Sequence, residues 1–211
     1  MAAHVRTQTI ESAIQRLDQP CPEGTAEKLA VLLGELEKWG RRVNLTAIRD
    51  PEEMITAHIL DSLVARPLLQ GTTVLDVGTG AGFPGLPLAI AEPARQFTLL
   101  DSNNKKIMFV QHVAGLLGLA NVTAVKGRGE DYAPGRRFDT VIARALAALP
   151  RLVEIAGHHV GEDGVFIALK GRYPAEELEQ LGDEPWTYAV KELDVPGLER
   201  GSRHAVLLRR A

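Results

Sequence analysis

The chain has 211 residues, 45% of them hydrophobic, which suits one domain with a small extension. Its single cysteine, Cys21, excludes a disulfide framework and a cysteine-ligated metal cluster, so we expect no metal and a reducing cytoplasm. The net charge of -3 gives no overall hint of a polyanionic partner, so a nucleic acid would have to bind at local basic clusters. With no signal peptide and no run of about 18 apolar residues, we expect no membrane association.

The apolar residues of the first third repeat at helical intervals, as at Ile10, Ile14 and Leu17, and prolines separate the segments. A further helical segment is expected near residues 54–63. We therefore predict an N-terminal helical extension over residues 1–70 and a second part over residues 71–211, together forming one compact unit.

Two groups of polar residues in this extension are candidates for function. Arg41, Arg42 and Arg49 surround "NLTA" and could bind phosphates, although a solvated helix face explains them at least as well. His58 and Asp61 are three residues apart, so they could share a helix face and hydrogen-bond to each other. We expect this pair to pin the extension rather than to take part in catalysis.

The stretch "VLDVGTGAGFPG", residues 74–85, places four glycines behind an apolar strand and predicts a ligand-binding loop. The spacing G-x-G-x-x-G starts at Gly80, but the strand ends near Val77, too early for a dinucleotide site. Asp76 would repel a pyrophosphate and suits a ligand with an ammonium and a sulfonium, which favours S-adenosylmethionine. The alternative is a tight turn without a ligand. The cofactor-binding candidates here are Gly78, Gly80 and Gly82.

Two later strand ends carry further candidates. Asp101 ends the second strand in "FTLLDSNNKK", where a carboxylate can accept both ribose hydroxyls of a nucleoside; the alternative is a cap of the next helix. Gly129 and Glu130 follow the third strand in "VKGRGED" and would lie beside an adenine, although a plain surface turn is an equal alternative.

Short apolar strands alternate with helices after Gly71, which predicts a mostly parallel sheet covered on both faces. The last two strands flank "VPGLERGSR" and should form an antiparallel hairpin. This gives an α/β fold of the class I, Rossmann-like methyltransferase type with seven strands. The predicted strands cover residues 74–77, 97–100, 122–125, 140–142, 165–169, 186–193 and 204–208.

The sequence after the fourth and fifth strands bears on the chemistry. The fourth runs into "IARALAAL", without the Asn or Asp and two prolines of amino-directed nucleic-acid methyltransferases. Carbon methylation of cytosine needs a cysteine, and Cys21 sits between two prolines in the extension. Lys170 follows the fifth strand at the carboxyl edge, where open sheets bind ligands, and is the best candidate for a phosphate contact. Other basic residues that could line this rim are Arg136, Arg137, Arg151, Arg172, Arg200 and Arg203.

These segments together resemble one family, the bacterial small-subunit ribosomal RNA guanine-N7 methyltransferases, historically called glucose-inhibited division protein B. The resemblance covers nearly the whole chain, and "NLTAIRDPEEM" with "HILDSL" is more specific than the glycine loop. The other segments are "LDVGTGAGFPGLPLAI", "FTLLDSNNKK", "FDTVIARALAAL" and "ALKG".

The resemblance implies methyl transfer from S-adenosylmethionine to N7 of a guanine in 16S-type ribosomal RNA. By the family pattern, cofactor positions fall on Gly78, Phe83, Gly129, Glu130 and Arg144. It further implies a cytoplasmic protein that acts on ribosomal RNA or a 30S-type particle, and we expect a monomer. The chain departs from the family in having Gly129 in place of a larger residue. It also has Leu146 in place of an aromatic that could stack on the target base.

This chemistry needs no catalytic base, because guanine N7 already holds a lone pair and carries no proton. We therefore name no catalytic residue and assign Arg144 to positioning of the cofactor or of RNA phosphates. Two other readings stay open: a small-molecule or protein methyltransferase, and a noncatalytic RNA-binding assembly factor with the same fold. A dinucleotide oxidoreductase is a more distant alternative.

Overall fold

The computed structural model describes residues 3–17, 19–40, 43–181, 185–198 and 201–211. Its centre is a seven-stranded sheet in the order β3-β2-β1-β4-β5-β7-β6. Strands β1 to β5 pair in parallel, whereas β7 is antiparallel to both β5 and β6. The predicted α/β fold and its closing hairpin are confirmed. The strands are β1 (Thr73–Val77), β2 (Gln96–Asp101), β3 (Val122–Lys126), β4 (Phe138–Arg144), β5 (Val160–Lys170), β6 (Trp186–Leu193) and β7 (Arg203–Arg210).

The first third of the chain is helical, as predicted. It contains α1 (Ala3–Gln15), α2 (Thr25–Gly40), α3 (Pro51–Met54), a π-helical segment (Ile55–Leu60) and α4 (Asp61–Leu63). Asp50 caps α3 by accepting hydrogen bonds from the N–H groups of Glu52 and Glu53. Whether residues 1–70 form a unit of their own stays a prediction. The later helices are α5 (Gly85–Ala91), α6 (Asn104–Leu116), α7 (Leu149–Ala156) and α8 (Ala175–Leu181).

The connection between β3 and β4 differs from the expected alternation of strands and helices. Residues 127–137 form turns and bends without a helix. Gly127, Gly129, Pro134 and Gly135 lie in this short segment, and such residues favour turns over helix. The backbone therefore passes the carboxyl edge of the sheet as an open loop.

Each face of the sheet buries its own core. Successive residues of β5 alternate between them, because side chains of a strand point to opposite faces. Ile167 packs in the core formed with α1, α2, α5 and α6. Phe166 packs in the core formed with α7 and α8. The helical extension therefore shares its apolar core with one face of the sheet.

Asp139 of β4 holds the start of β1. One of its carboxylate oxygens accepts hydrogen bonds from the Thr72 N–H (2.8 Å), the Thr73 N–H (2.9 Å) and the Thr73 hydroxyl (2.9 Å). Burial acts to raise the pKa of Asp139, but the hydrogen bonds from Thr73 and Thr72 together outweigh it, so the pKa lies below its usual value. The ionised carboxylate thus holds the start of β1 against β4, at the edge where the extension meets the sheet.

We predict that Asp139→Asn lowers the free energy of unfolding by about 1–3 kcal/mol at pH 7, because a charged acceptor of three hydrogen bonds is lost. A lowered folded-state pKa gives stability that is present above the unfolded pKa and lost as the pH falls through the folded one. The difference between wild type and variant should therefore shrink below about pH 4. Urea unfolding at pH 7 and at lower pH tests this, with the exposed Asp163→Asn as control. Equal stability of wild type and Asp139→Asn at pH 7 would contradict it.

Candidate active site

The predicted site residues meet at one edge of the sheet because parallel strands end there together. Asp101 ends β2, Arg144 ends β4 and Lys170 ends β5. The glycine loop follows β1 at the same edge. The fold therefore brings residues that are far apart in sequence around one opening.

The glycine loop is held by its own backbone and by side chains below it. The N–H groups of Gly78 and Thr79 both donate to the carbonyl of Leu100, at 2.8 and 3.0 Å. The three glycines at positions 78, 80 and 82 have φ angles of 71°, 62° and 87°, in the left-handed region. A Cβ at Gly82 would also lie 2.3 Å from a methyl carbon of Leu86. The turn is therefore restricted to glycine both by backbone angle and by space.

Asp76 supports this loop from inside the protein. Its side chain is fully buried, and its Oδ2 accepts hydrogen bonds from the Thr79 hydroxyl (2.6 Å) and the Gly85 N–H (2.9 Å). Burial raises the pKa of Asp76 to about 6, although the bonds from Thr79 and Gly85 act to lower it. Its Oδ1 is buried without a hydrogen-bond partner among the described residues, so the expected contact of this carboxylate with a ligand stays a prediction.

A first cavity of about 330 Å³ lies beside the loop, and we call it the glycine-loop cavity. It is lined by Val77, Gly78, Leu100, Asp101, Ser102, Lys106, Gly127, Arg128, Gly129, Glu130, Ala145, Leu146 and Ile155.

Asp101 lines the glycine-loop cavity and also hydrogen-bonds to the glycine loop. Its carboxylate accepts from the Gly80 N–H (2.9 Å) and the Asn103 N–H (2.8 Å), and the Lys106 ammonium lies 3.8 Å away. The cap of α6 is Asn103, whose side chain accepts from the Lys105 N–H. The helix-cap alternative for Asp101 is therefore wrong.

Gly129 and Glu130 form another wall of this cavity. A Cβ at Gly129 would lie 2.5 Å from a methyl carbon of Ile155, so this chain needs glycine there. The Gly129 carbonyl accepts a hydrogen bond from Nε2 of the buried His159 at 2.9 Å. The Glu130 carboxylate pairs with Arg151 at 2.5 Å. His159 thus supports the turn from behind.

A second cavity of about 420 Å³, the Arg144 cavity, adjoins the first. Ala145 lines both cavities and has a φ of 51°, unusual for a residue other than glycine. Ala145 is therefore a wall that the two cavities share. The Arg144 cavity is lined by Ile48, Ala57, His58, Asp61, Arg144, Ala145, Leu169, Lys170, Gly171, Leu193, Arg203 and His204.

Asp61 organises the polar side of the Arg144 cavity. Its two oxygens accept from Arg144 Nη1 (2.8 Å) and Arg203 Nε (2.6 Å), and Arg144 also donates to the Ala57 carbonyl (3.1 Å). Ala57 lies in the π-helical segment and Asp61 directly follows it. Such segments are often found at functional sites. The helical extension, β4 and β7 are therefore tied together at one carboxylate.

His58 does not bond to Asp61, so that expectation is wrong. Its Nε2 lies 2.9 Å from the Thr46 hydroxyl, and its ring stacks on Phe83 at 4.7 Å between centroids. Burial and the Arg144 charge lower the pKa of His58 to about 4, so the ring is neutral near pH 7. Its Nδ1 is buried without a partner among the described residues. His58 packs against the loop rather than acting as an acid.

The basic candidates differ in their exposure and in the groups that they contact. The Lys170 ammonium contacts the Glu177 carboxylate (2.6 Å) and the Ala147 carbonyl (2.9 Å). Arg49 is exposed and donates to the Gly40 carbonyl at 3.1 Å, at the end of α2. Three candidates lie outside the described residues: Arg41, Arg42 and Arg200.

The eight cofactor candidates from the sequence fall into three groups. Four of them, Gly78, Asp101, Gly129 and Glu130, line the glycine-loop cavity. Gly80 and Gly82 shape the loop beside it. Arg144 lines the Arg144 cavity, and its guanidinium lies 5.8 Å from the ring centroid of Phe83.

Sequence reasoning missed His159 and the junction at Ala145. No local motif marks a histidine that reaches a glycine carbonyl 30 residues away. The role of Asp61 as partner of two arginines was missed for the same reason, since Arg203 is 142 residues distant in sequence.

Comparison with known proteins identifies relatives of this chain by sequence and by fold. The family described as rRNA small subunit methyltransferase G matches residues 25–206. A ribosomal RNA small subunit methyltransferase G of Idiomarina loihiensis is 47% identical over 88% of this chain and 90% of that protein. Its counterpart from Aeromonas salmonicida is 50% identical over 84% of this chain and 85% of its own.

Solved structures show the fold. The glycopeptide N-methyltransferase MtfA, complexed with S-adenosylmethionine, has a TM-score of 0.62 at 12% identity, covering 73% of this chain and 87% of that one. A methyltransferase from Geobacter sulfurreducens has a TM-score of 0.61 at 16% identity, covering 86% and 90%. Among the described residues, each helix is too short or too polar to span a membrane.

We predict that Asp76→Asn changes how stability depends on pH. A folded-state pKa near 6, above the ordinary value, means that ionising Asp76 costs stability as the pH rises from about 4 to 6, by roughly 3 kcal/mol. The asparagine stays neutral and its amide oxygen can accept from Thr79 and Gly85, so the variant should lose less stability over this range. Urea unfolding at pH 4, 5, 6 and 7 measures the difference. Asp139→Asn is a control of opposite sign, and parallel curves for wild type and Asp76→Asn would refute the prediction.

Proposed function

Because the chain belongs to the rRNA small subunit methyltransferase G family, we propose that it methylates N7 of a guanine in small-subunit (16S) ribosomal RNA. The methyl donor is S-adenosylmethionine, bound in the glycine-loop cavity. The observation that carries the proposal is the junction of this cavity with the Arg144 cavity at Ala145. One cavity would hold the donor, the other the acceptor, and the reacting groups would meet at the junction.

The residues of the glycine-loop cavity fit this cofactor. Asp101 is a nearly buried carboxylate at the end of β2, and each of its oxygens has acceptor capacity beyond its bond to the backbone, as ribose hydroxyls require. Leu100 and Ile155 supply apolar surface on which a purine ring can pack. The cofactor, when bound, supplies an electrophilic methyl group on a sulfonium.

Binding and alignment are the tasks that this chain's residues perform. Guanine N7 has a free lone pair, so the reaction needs no proton removal. The neutral, buried His58 agrees with this, because its ring is occupied in packing on Phe83 and in contact with Thr46. We assign Arg144 to positioning, because Asp61 and the Ala57 carbonyl hold its guanidinium in place.

The Arg144 cavity has the charge that RNA would require. Arg144, Lys170 and Arg203 line it together with one carboxylate, Asp61, so cations outnumber anions. One positive charge remains even when Glu177, the partner of Lys170, is included. The whole chain carries -3, so this local excess supports attraction of phosphates to the cavity.

We also propose where the RNA backbone runs. Phosphates would contact Arg144 and Lys170 at the cavity, and Arg41, Arg42 and Arg49 on the extension. The partner is ribosomal RNA or a 30S-type particle, which places the protein in the cytoplasm, and we propose that it acts as a monomer without a metal.

The function is tested by mapping methylated guanines. Small-subunit RNA from cells lacking the protein should lack one N7-methylguanine that wild-type cells have. Purified protein with S-adenosylmethionine should restore it on the small ribosomal particles from those cells. Identical maps from both strains would refute the proposal. Labelled methyl groups found in protein instead of RNA would point to a protein methyltransferase.

For the cofactor site, we predict that Asp101→Ala weakens S-adenosylmethionine binding by about 1–3 kcal/mol, the range for a lost charged acceptor. Asp101→Asn should lose less, because one side-chain oxygen remains. Calorimetry measures both affinities, and circular dichroism checks the fold. The matched control is Asp131→Ala, an exposed carboxylate outside the lining of the glycine-loop cavity. Unchanged affinity in both Asp101 variants would remove Asp101 from the site.

A further inference from the structure

An exposed aromatic side chain lies at the mouth of the Arg144 cavity. Tyr173 follows the end of β5 by three residues and is 56% exposed to solvent. Its ring meets that of His204 edge to face, with 5.7 Å between centroids and 83° between the planes. His204 lines the cavity, so Tyr173 lies next to a cavity residue while much of its surface faces solvent.

Both charges lie around Tyr173, because Lys170 and Arg203 are paired with Glu177 and Asp61 and because Glu192 of β6 lies opposite His204. His204 pairs in register with Lys170 across β5 and β7. Arg203, next in sequence to His204, and Lys170 both line the cavity, and Arg172 is exposed beside Tyr173. An aromatic ring among cations is the arrangement by which proteins hold unpaired bases, because the ring stacks on a base while the cations contact phosphates.

We propose that Tyr173, held edge-on by His204, stacks on an unpaired nucleobase that neighbours the target guanine in the RNA. This inference rests on the proposed function and adds a specific contact to it. Leu146, which lines the glycine-loop cavity, packs on Gly78 and offers no aromatic ring. Tyr173 supplies such a ring next to His204 of the Arg144 cavity.

The strand order decides which base Tyr173 contacts. The reacting guanine must reach the junction at Ala145, which follows β4, whereas His204 lies in β7. Strands β4 and β7 are both neighbours of β5, so two strand spacings, about 10 Å, separate these positions. Stacked rings touch at roughly 3.5–4 Å, so we assign the base on Tyr173 to a place beside the junction and not at it. The stacked base is therefore a neighbour of the guanine.

The test compares three variants of the full chain: Tyr173→Ala, Tyr173→Phe and the control Tyr188→Ala. Tyr188 is similarly exposed at 51%, but it pairs with Leu208, four residues along β7 from His204 and thus about 14 Å away. The probe is the small ribosomal particle from cells that lack the protein. Its affinity is measured over a series of salt concentrations, and calorimetry measures S-adenosylmethionine binding.

Tyr173→Ala should weaken particle binding roughly 5- to 150-fold, the range for loss of one stacked base. Its salt slope should equal that of wild type, because stacking releases no counterions. Tyr173→Phe and Tyr188→Ala should bind as wild type does, and cofactor affinity should be unchanged throughout.

Two results would overturn the inference while leaving the proposed function intact. One is wild-type particle binding by Tyr173→Ala in a protein that methylates the particle. The other is a loss in Tyr173→Phe as large as in Tyr173→Ala, which would assign the contact to the hydroxyl. If wild-type protein methylates no guanine, the proposed function fails first, and the inference fails with it.

Discussion

The turn after β1 is the constraint on which the site depends. The chain must reverse from β1 into α5 while keeping its backbone open to a ligand, so the side chains that hold the turn must come from beneath or beside it. Asp76 holds it from below through Thr79 and Gly85, and Asp101 of the neighbouring strand holds Gly80 from the side. Because Asp101 also lines the glycine-loop cavity, the group that fixes the loop is the one available to a ribose. Loop shape and ligand affinity are therefore coupled.

Asp61 has a similar supporting role in the Arg144 cavity. It accepts from arginines of β4 and β7, and it belongs to a helical segment that packs over the sheet edge. A buried carboxylate loses its hydration, and two charge-assisted bonds offset that loss only while both partners stay in place. The helical extension is therefore part of the cavity wall as well as a cover for the core.

Local patterns in the sequence were sufficient for the fold and for four residues that the structure brings to one cavity: Gly78, Asp101, Gly129 and Glu130. Strand and helix periodicity, the glycines and Asp101 after β2 are all features of neighbouring residues, and a parallel sheet brings strand ends together by its topology. The sequence did not reveal the orientation of buried carboxylates. Asp76 was expected to suit a ligand, and one of its oxygens accepts hydrogen bonds from the protein's own loop. Asp61 was expected to bond to His58, and it accepts hydrogen bonds from two arginines instead. These partners are set by packing between distant segments, which no spacing within one segment records.

Under the proposed function, the field of the Arg144 cavity acts in opposite directions on substrate and product. An excess of positive charge attracts the phosphates of the RNA, which are needed for binding in a chain whose net charge is -3. Methylation at N7 turns the guanine ring into a cation, and the same charge then favours its departure. Asp61 limits this excess by neutralising one of two guanidiniums, and the phosphates of the bound strand screen the rest. The number of arginines that share Asp61 therefore sets a balance between holding the substrate and releasing the product.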